Sequence, residues 1–137
     1  MIFPESVAPR ILNGRLALIT GAGQGNGRTI ALGLAQAGAR VIVTDMNEKT
    51  VADTAAEIRE DGGEAWSFVL DVTSSQDCKA LEARVRSEIG TVDLLVNNAG
   101  IIIRENTSSP NAEANWKKTI DVNINGTFNV CHAWLSA

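Results

Sequence analysis

With 137 residues, 45% of them hydrophobic, the chain can build one core and not obviously two. Its 12 basic and 16 acidic residues leave a net charge of -4 with no basic stripe, which argues against a nucleic-acid partner. No apolar run approaches a membrane span, and the segment from Met1 to Arg10 carries Glu5 and two prolines in place of an apolar stretch, so it is not expected to be a secretory signal.

In chain order, Leu16, Ala17, Leu18 and Ile19 read as a strand buried on both faces. It runs into the turn Thr20-Gly21-Ala22-Gly23-Gln24-Gly25-Asn26-Gly27. Ile30, Leu34 and Ala37 then recur at helical spacing, and Gly38 stops that helix. A second apolar strand over residues 41–44 ends on Asp45. Asn47 can cap a helix whose positions Val51, Ala55 and Ile58 share one face, ended by Asp61-Gly62-Gly63. Residues 65–70 read as a third strand.

Ser74 and Asp77 have capping-box spacing ahead of a helix carrying Leu81, Val85 and Ile89 and closed by Gly90. A fourth strand over residues 93–96 reads as central and covered on both faces and delivers Asn97-Asn98-Ala99-Gly100, yet no fifth strand follows to pair with its other edge, which is expected to be apolar and unpaired. Trp116, Ile120, Ile124, Phe128, Cys131 and Leu135 trace one side of a long final helix, a face expected to pack on the sheet and against the same helix of another subunit. Within that helix Asn123 needs hydrogen-bond partners and Gly126 weakens the turn, which predicts a local kink with carbonyls open to water. Cys78 and Cys131 have no partner spacing, so buried thiols in a reducing compartment are expected rather than a disulfide, and no metal site.

Strands alternating with helices through crossover connections imply an α/β fold, a Rossmann-like, doubly wound parallel sheet with four strands present. The first strand, glycine turn, helix and second strand ending in an acid describe a dinucleotide pocket. Glycines let a pyrophosphate approach the backbone, the N–H groups and dipole of the next helix favour its charge, and Asp45, 20 residues past Gly25, can hold ribose hydroxyls. The spacing is Gly-x-x-x-Gly-x-Gly rather than the commoner Gly-x-Gly-x-x-Gly.

Four segments in this order, Thr-Gly-x-x-x-Gly-x-Gly at 20–27, Asp71-Val72, Asn97-Asn98-Ala99-Gly100 and Val122-Asn123-Ile124-Asn125-Gly126, resemble the short-chain dehydrogenase/reductase family. The resemblance runs from about Leu12 onward and implies that residues 1–137 are the NAD-binding amino-terminal part of a longer single-domain enzyme of about 250 residues. Asn26 departs from the pattern, standing where a small apolar residue such as isoleucine is common. The resemblance implies that Gly21 and Gly25 shape the turn, that amides around Gln24, Asn26 and Gly27 face the pyrophosphate, and that Asp45 faces the adenine ribose. It sets Asp71 and Val72 at the adenine, and Asn98, Ala99 and Gly100 beside the nicotinamide ribose. Asp71 also fits a turn residue before Thr73, and Asn97 and Asn98 also fit a polar strand end that ties neighbouring strands, a role expected mainly of Asn97.

As the asparagine of an Asn-Ser-Tyr-Lys group, Asn123 would be the catalytic position present here, holding a water in a proton relay; a satisfied helix-packing asparagine is the other reading. The sequence contains no tyrosine, and Lys117 and Lys118 precede Asn123. His132, the single histidine, reads as structural. A ribose 2′-phosphate at roughly 4 Å from Asp45 would cost about 1 kcal/mol in water and about 4 kcal/mol at an effective dielectric near 20, so NAD is expected over NADP. Arg40 begins the same strand, about 17 Å away at strand rise, and Gln24 and Met46 are neutral. The activity implied is hydride transfer between nicotinamide and a small secondary alcohol or ketone, by a homotetramer whose last helix lies at an interface. A non-catalytic nucleotide-binding or scaffolding protein is the alternative if the 137-residue chain is complete.

Overall fold

The computed structural model describes residues 9–135. The reading made on the amino-terminal segment before Pro9 lies outside the described residues. The elements are β1 (Leu16–Ile19), α1 (Gly25–Gln36), β2 (Arg40–Asp45), α2 (Glu48–Glu60), β3 (Ala65–Val69), α3 (Ser75–Glu88), β4 (Leu94–Val96), α4 (Ala112–Ile120), a π-helical turn (Asp121–Asn125) and α5 (Gly126–Leu135). Every expected strand and helix is present, so the Rossmann-like α/β reading holds. The strands order as β3-β2-β1-β4 and all pairs are parallel, with Leu18 opposite both Ile42 and Leu95.

All four β1 residues are fully buried because strand alternation sends them to two cores. Ala17 and Ile19 join Val41, Val43, Val51, Ala55 and Ile58 under α1 and α2. Leu16, Leu18 and Ile42 join Leu81, Val85 and Val130 under α3 and α5 on the opposite face. Local signals set the helix limits as expected: Asn47 accepts from the Thr50 amide and Ser74 from the Asp77 amide. Gly38, with φ of 98°, follows the end of α1 in the left-handed conformation that a side chain resists.

Three expectations need correction. Leu94, Leu95 and Val96 of β4 are half-buried rather than covered on both faces, while β4 does lie, as expected, at an edge of the sheet among the described residues. The apolar side of the last helix faces outward, with Trp116 68%, Phe128 64% and Leu135 76% exposed, while Gly126, Val130 and Ala133 meet the core. Small residues let the helix approach closely, and the π-helical turn adds a residue that shifts the faces before and after it out of register. Of the two thiols only Cys78 is buried; Cys131 is half-buried and accepts from Asn97 Nδ2 at 3.3 Å.

Burial raises the Cys78 thiol from its ordinary value of 9.0 to about 11, with the charges of Asp77 and Asp71 acting in the same direction. The folded state therefore keeps a proton that the unfolded chain releases, so stability is intact below pH 9 and falls as pH rises toward 11. Thiol labelling at pH 8 is expected to modify Cys131 in the native protein and Cys78 only in denaturant. A Cys78→Ser variant should lose the alkaline part of the denaturation profile; equal labelling of both native thiols would contradict this account.

Candidate functional site

The carboxyl ends of β1, β2 and β4 converge on one rim, as parallel strands require. There a cavity of about 570 Å³ opens, within the usual range of about 300–1,000 Å³ for cofactor and ligand sites. The glycine turn supplies one wall with Gly21, Gln24, Gly25 and Asn26, and β2 supplies Asp45 and Met46. Val72, the segment Asn98-Ala99-Gly100 and Asn123 complete it. The sequence reading missed Thr44, Leu70 and Val122 as lining residues, because a small or apolar side chain near the end of an element carries no signal that separates a cavity wall from a core.

Glycine is required at this rim for two different reasons. Gly21 (φ 62°) and Gly25 (φ 56°) take the left-handed conformation, and nothing stands within 4 Å of where a Cβ on Gly25 would project. At Gly27 a Cβ would lie 2.1 Å from the Gly21 carbonyl oxygen and 2.4 Å from Asn98 Nδ2, so this glycine permits close packing beneath the turn. Gly27 accordingly does not line the cavity.

The helix that starts here is left open. Gln24, at the N-cap of α1, makes no side-chain capping bond, and the first turn carries no acid. By contrast α2 and α3 are capped by side chains and carry Glu48 and Asp77 in their first turns. The unsatisfied N–H groups and positive dipole end of α1 make an electropositive backbone patch at the cavity. Facing it, the Asp45 carboxylate is held by amides: Oδ2 accepts from Gly23 at 3.0 Å and Oδ1 from Met46 at 2.7 Å. Its charge is thereby fixed in place at the end of β2.

Thr20 and Asn98 lock β1 to β4. The buried Thr20 hydroxyl accepts from the amides of Asn98 and Ala99 at 3.1 and 3.0 Å. Asn98 Nδ2 in turn donates to the carbonyls of Thr20 and Gly21, both at 3.0 Å. The tie between strand ends expected mainly of Asn97 is thus made by Asn98, while Asn97 is exposed and reaches Cys131. Asp71 makes the turn that was its other reading: Oδ1 accepts from the Thr73 amide and hydroxyl at 2.9 and 2.7 Å, and Asp71 is outside the cavity lining. Asn123 sits in the π-helical turn and clamps Ile101, accepting from its amide at 2.8 Å and donating to its carbonyl at 2.9 Å. The kink expected near Asn123 and Gly126 is this turn. Arg40 is engaged elsewhere, pairing with Glu64 at 3.2 Å and covering Trp66. No group of three or more His, Cys, Asp or Glu side chains among the described residues could hold a metal.

A family model described as short chain dehydrogenase matches residues 15–137. The chain is 36% identical over 128 residues to cyclohexanol dehydrogenase of an Acinetobacter strain, covering 93% of this chain and 51% of that protein. It is 46% identical over 89 residues to 7alpha-hydroxysteroid dehydrogenase of Escherichia coli, covering 65% of this chain and 35% of that one. Among solved structures, hydroxysteroid dehydrogenase from Escherichia coli superposes with a TM-score of 0.85 at 35% identity, over 93% of this chain and 53% of its own. The chain spans about half or less of the length of the relatives it matches.

Two glycines of α1 make opposite forecasts. Alanine at Gly33, where nothing lies within 4 Å, should raise stability to denaturant by about 1 kcal/mol. Alanine at Gly27 should lower it by about 1–3 kcal/mol through collision with the turn. Urea unfolding of both variants checks the pair, and a neutral Gly27→Ala would contradict the packing described.

Proposed function

The chain belongs to the short-chain dehydrogenase family, and from that premise we propose that it forms the cofactor-binding part of an oxidoreductase that uses NAD to interconvert a secondary alcohol and a ketone. The observation that carries this reading is one cavity holding both an uncapped helix N-terminus and a fixed carboxylate. Family members bind a nicotinamide cofactor, NAD or NADP. The residues present fit such a group: the open space before Gly25 and the free amides of α1 suit a pyrophosphate, and Asp45 suits a ribose diol.

In this reading Gly21, Gln24, Gly25 and Asn26 would hold the pyrophosphate, with Gly27 letting the turn close beneath it. Asp45 would hold the adenine ribose, Val72 the adenine face, and Asn98, Ala99 and Gly100 the nicotinamide ribose. Asp71 would act through its turn, which sets the position of Val72, with its second carboxylate oxygen left for the adenine amine. When bound, the cofactor accepts or donates the hydride at the substrate carbon. Asn123 serves as a positioning residue, because both ends of its carboxamide are spent on Ile101. Its water-holding role then falls to main-chain carbonyls of the π-helical turn.

The NAD preference follows from charge. Asp45 would repel a 2′-phosphate, and Arg40, committed to Glu64 and Trp66, offers no compensation. We read residues 1–137 as part of a longer single-domain enzyme, which the half-length coverage of its relatives supports. The outward apolar residues Trp116, Ile124 and Phe128 support assembly into a homo-oligomer, a tetramer in the family's usual manner. The two free cysteines fit a reducing compartment such as the cytoplasm.

The protein expressed from its natural reading frame should bind NAD at least tenfold more tightly than NADP, a difference of about 1.4 kcal/mol or more. Asp45→Ser should shrink that ratio, and secondary alcohols should drive NAD reduction in a screen. Equal or tighter binding of NADP would overturn the role given to Asp45, and absence of binding to either dinucleotide would overturn the whole reading.

A further inference from the structure

We propose that the last helix sets the width of the cavity through Asn123, Gly126 and Asn129, and that Asn129 and Gly126 are positioning residues for its adenine wall. The inference rests on the dinucleotide reading above and extends it to residues outside the cavity lining. The three positions follow one another at intervals of three, Asn123 within the π-helical turn and Gly126 and Asn129 in α5 after it. Together they engage two segments of cavity wall from different parts of the chain, Asn123 at Ile101 and both Gly126 and Asn129 at Val72.

At the upper end Asn123 grips Ile101 by both its amide and its carbonyl. At the lower end Asn129 Nδ2 donates to the Val72 carbonyl at 2.9 Å. Between them the missing side chain of Gly126 makes room for Val72: a Cβ there would lie 2.6 Å from Val72 Cγ2 and 3.2 Å from its Cβ. Val72 is 7% exposed and lines the cavity, so it has little freedom except along the direction that these two residues control. Asp71 ties the same loop back onto Thr73 from the other side.

Helix rise sets Asn123 and Asn129, which hold Ile101 and Val72, about 9 Å apart along the helix axis, so the helix acts as a spacer between the two walls. Removing the Asn129 donor leaves the Val72 carbonyl with only the Cys78 thiol at 3.9 Å, a weak partner. Adding a methyl group at Gly126 drives Val72 into the cavity or the helix away from it. Both changes act on the wall farther from Ile101, and so on the adenine end.

The test is made on the protein expressed from its natural reading frame, titrated separately with AMP and with nicotinamide mononucleotide and followed by NMR, alongside its melting temperature. Asn129→Asp keeps the side-chain shape but replaces the donor by a charge that repels the carbonyl. It should weaken AMP about tenfold and leave nicotinamide mononucleotide within twofold, and Gly126→Ala should do the same. A merely structural role would lower the melting temperature and weaken both probes alike, and that result, or no change on either probe, overturns the proposal. Failure of both variants to fold assigns the two positions to stability and overturns it equally. Unsubstituted protein that binds neither probe defeats the dinucleotide reading itself, a result distinct from intact binding that the variants leave unaltered.

Discussion

The exchange of hydrogen bonds between Thr20 and Asn98 is the constraint on which the rest of this rim depends. A hydroxyl at the end of β1 takes two amides from the segment after β4, and a carboxamide from that segment takes two carbonyls from the start of the glycine turn. All these groups are at least partly withdrawn from water, where an unmatched donor or acceptor costs about 1–3 kcal/mol. The turn and the Asn98-Ala99-Gly100 segment are therefore held as one body. Gly27, with no room for a side chain between them, keeps that body closed.

Rigidity here leaves one set of groups deliberately unsatisfied. α2 and α3 satisfy their first amides with Asn47 and Ser74, whereas α1 presents its own to the cavity. Asp45 stands nearby with its carboxylate immobilised by backbone amides rather than by a cation. Positive backbone at one point and a fixed negative charge at another form the electrostatic pattern of a site for a phosphate joined to a diol. That pattern, rather than fold alone, is the basis for the functional reading.

Tertiary packing also divides labour among asparagines that look alike in sequence. Asn98 braces two strands, Asn123 clamps a loop, Asn129 holds the carbonyl after β3, and Asn97 faces outward. None of these partners lies within 20 residues of its asparagine, so nothing local distinguishes them. The last helix shows the same limit. Its large apolar residues outnumber its small ones, yet the side with Gly126, Val130 and Ala133 meets the core, because the closeness of approach to α3 and the sheet selects residue size over hydrophobicity.

What the amino-acid sequence determined by itself was whatever depends on neighbours a few residues apart. Strand and helix identity, the caps at Asn47 and Ser74, the stop at Gly38 and the glycine turn with its acid 20 positions on were all legible, because periodicity and backbone freedom act locally. The parallel α/β architecture followed from their alternation. Only the tertiary structure decided which face of α5 is buried, which loop Asn123 clamps and which asparagine braces the rim. Each of these depends on a contact between segments far apart in the chain, where the available space and the nearest unpaired donor or acceptor settle the outcome.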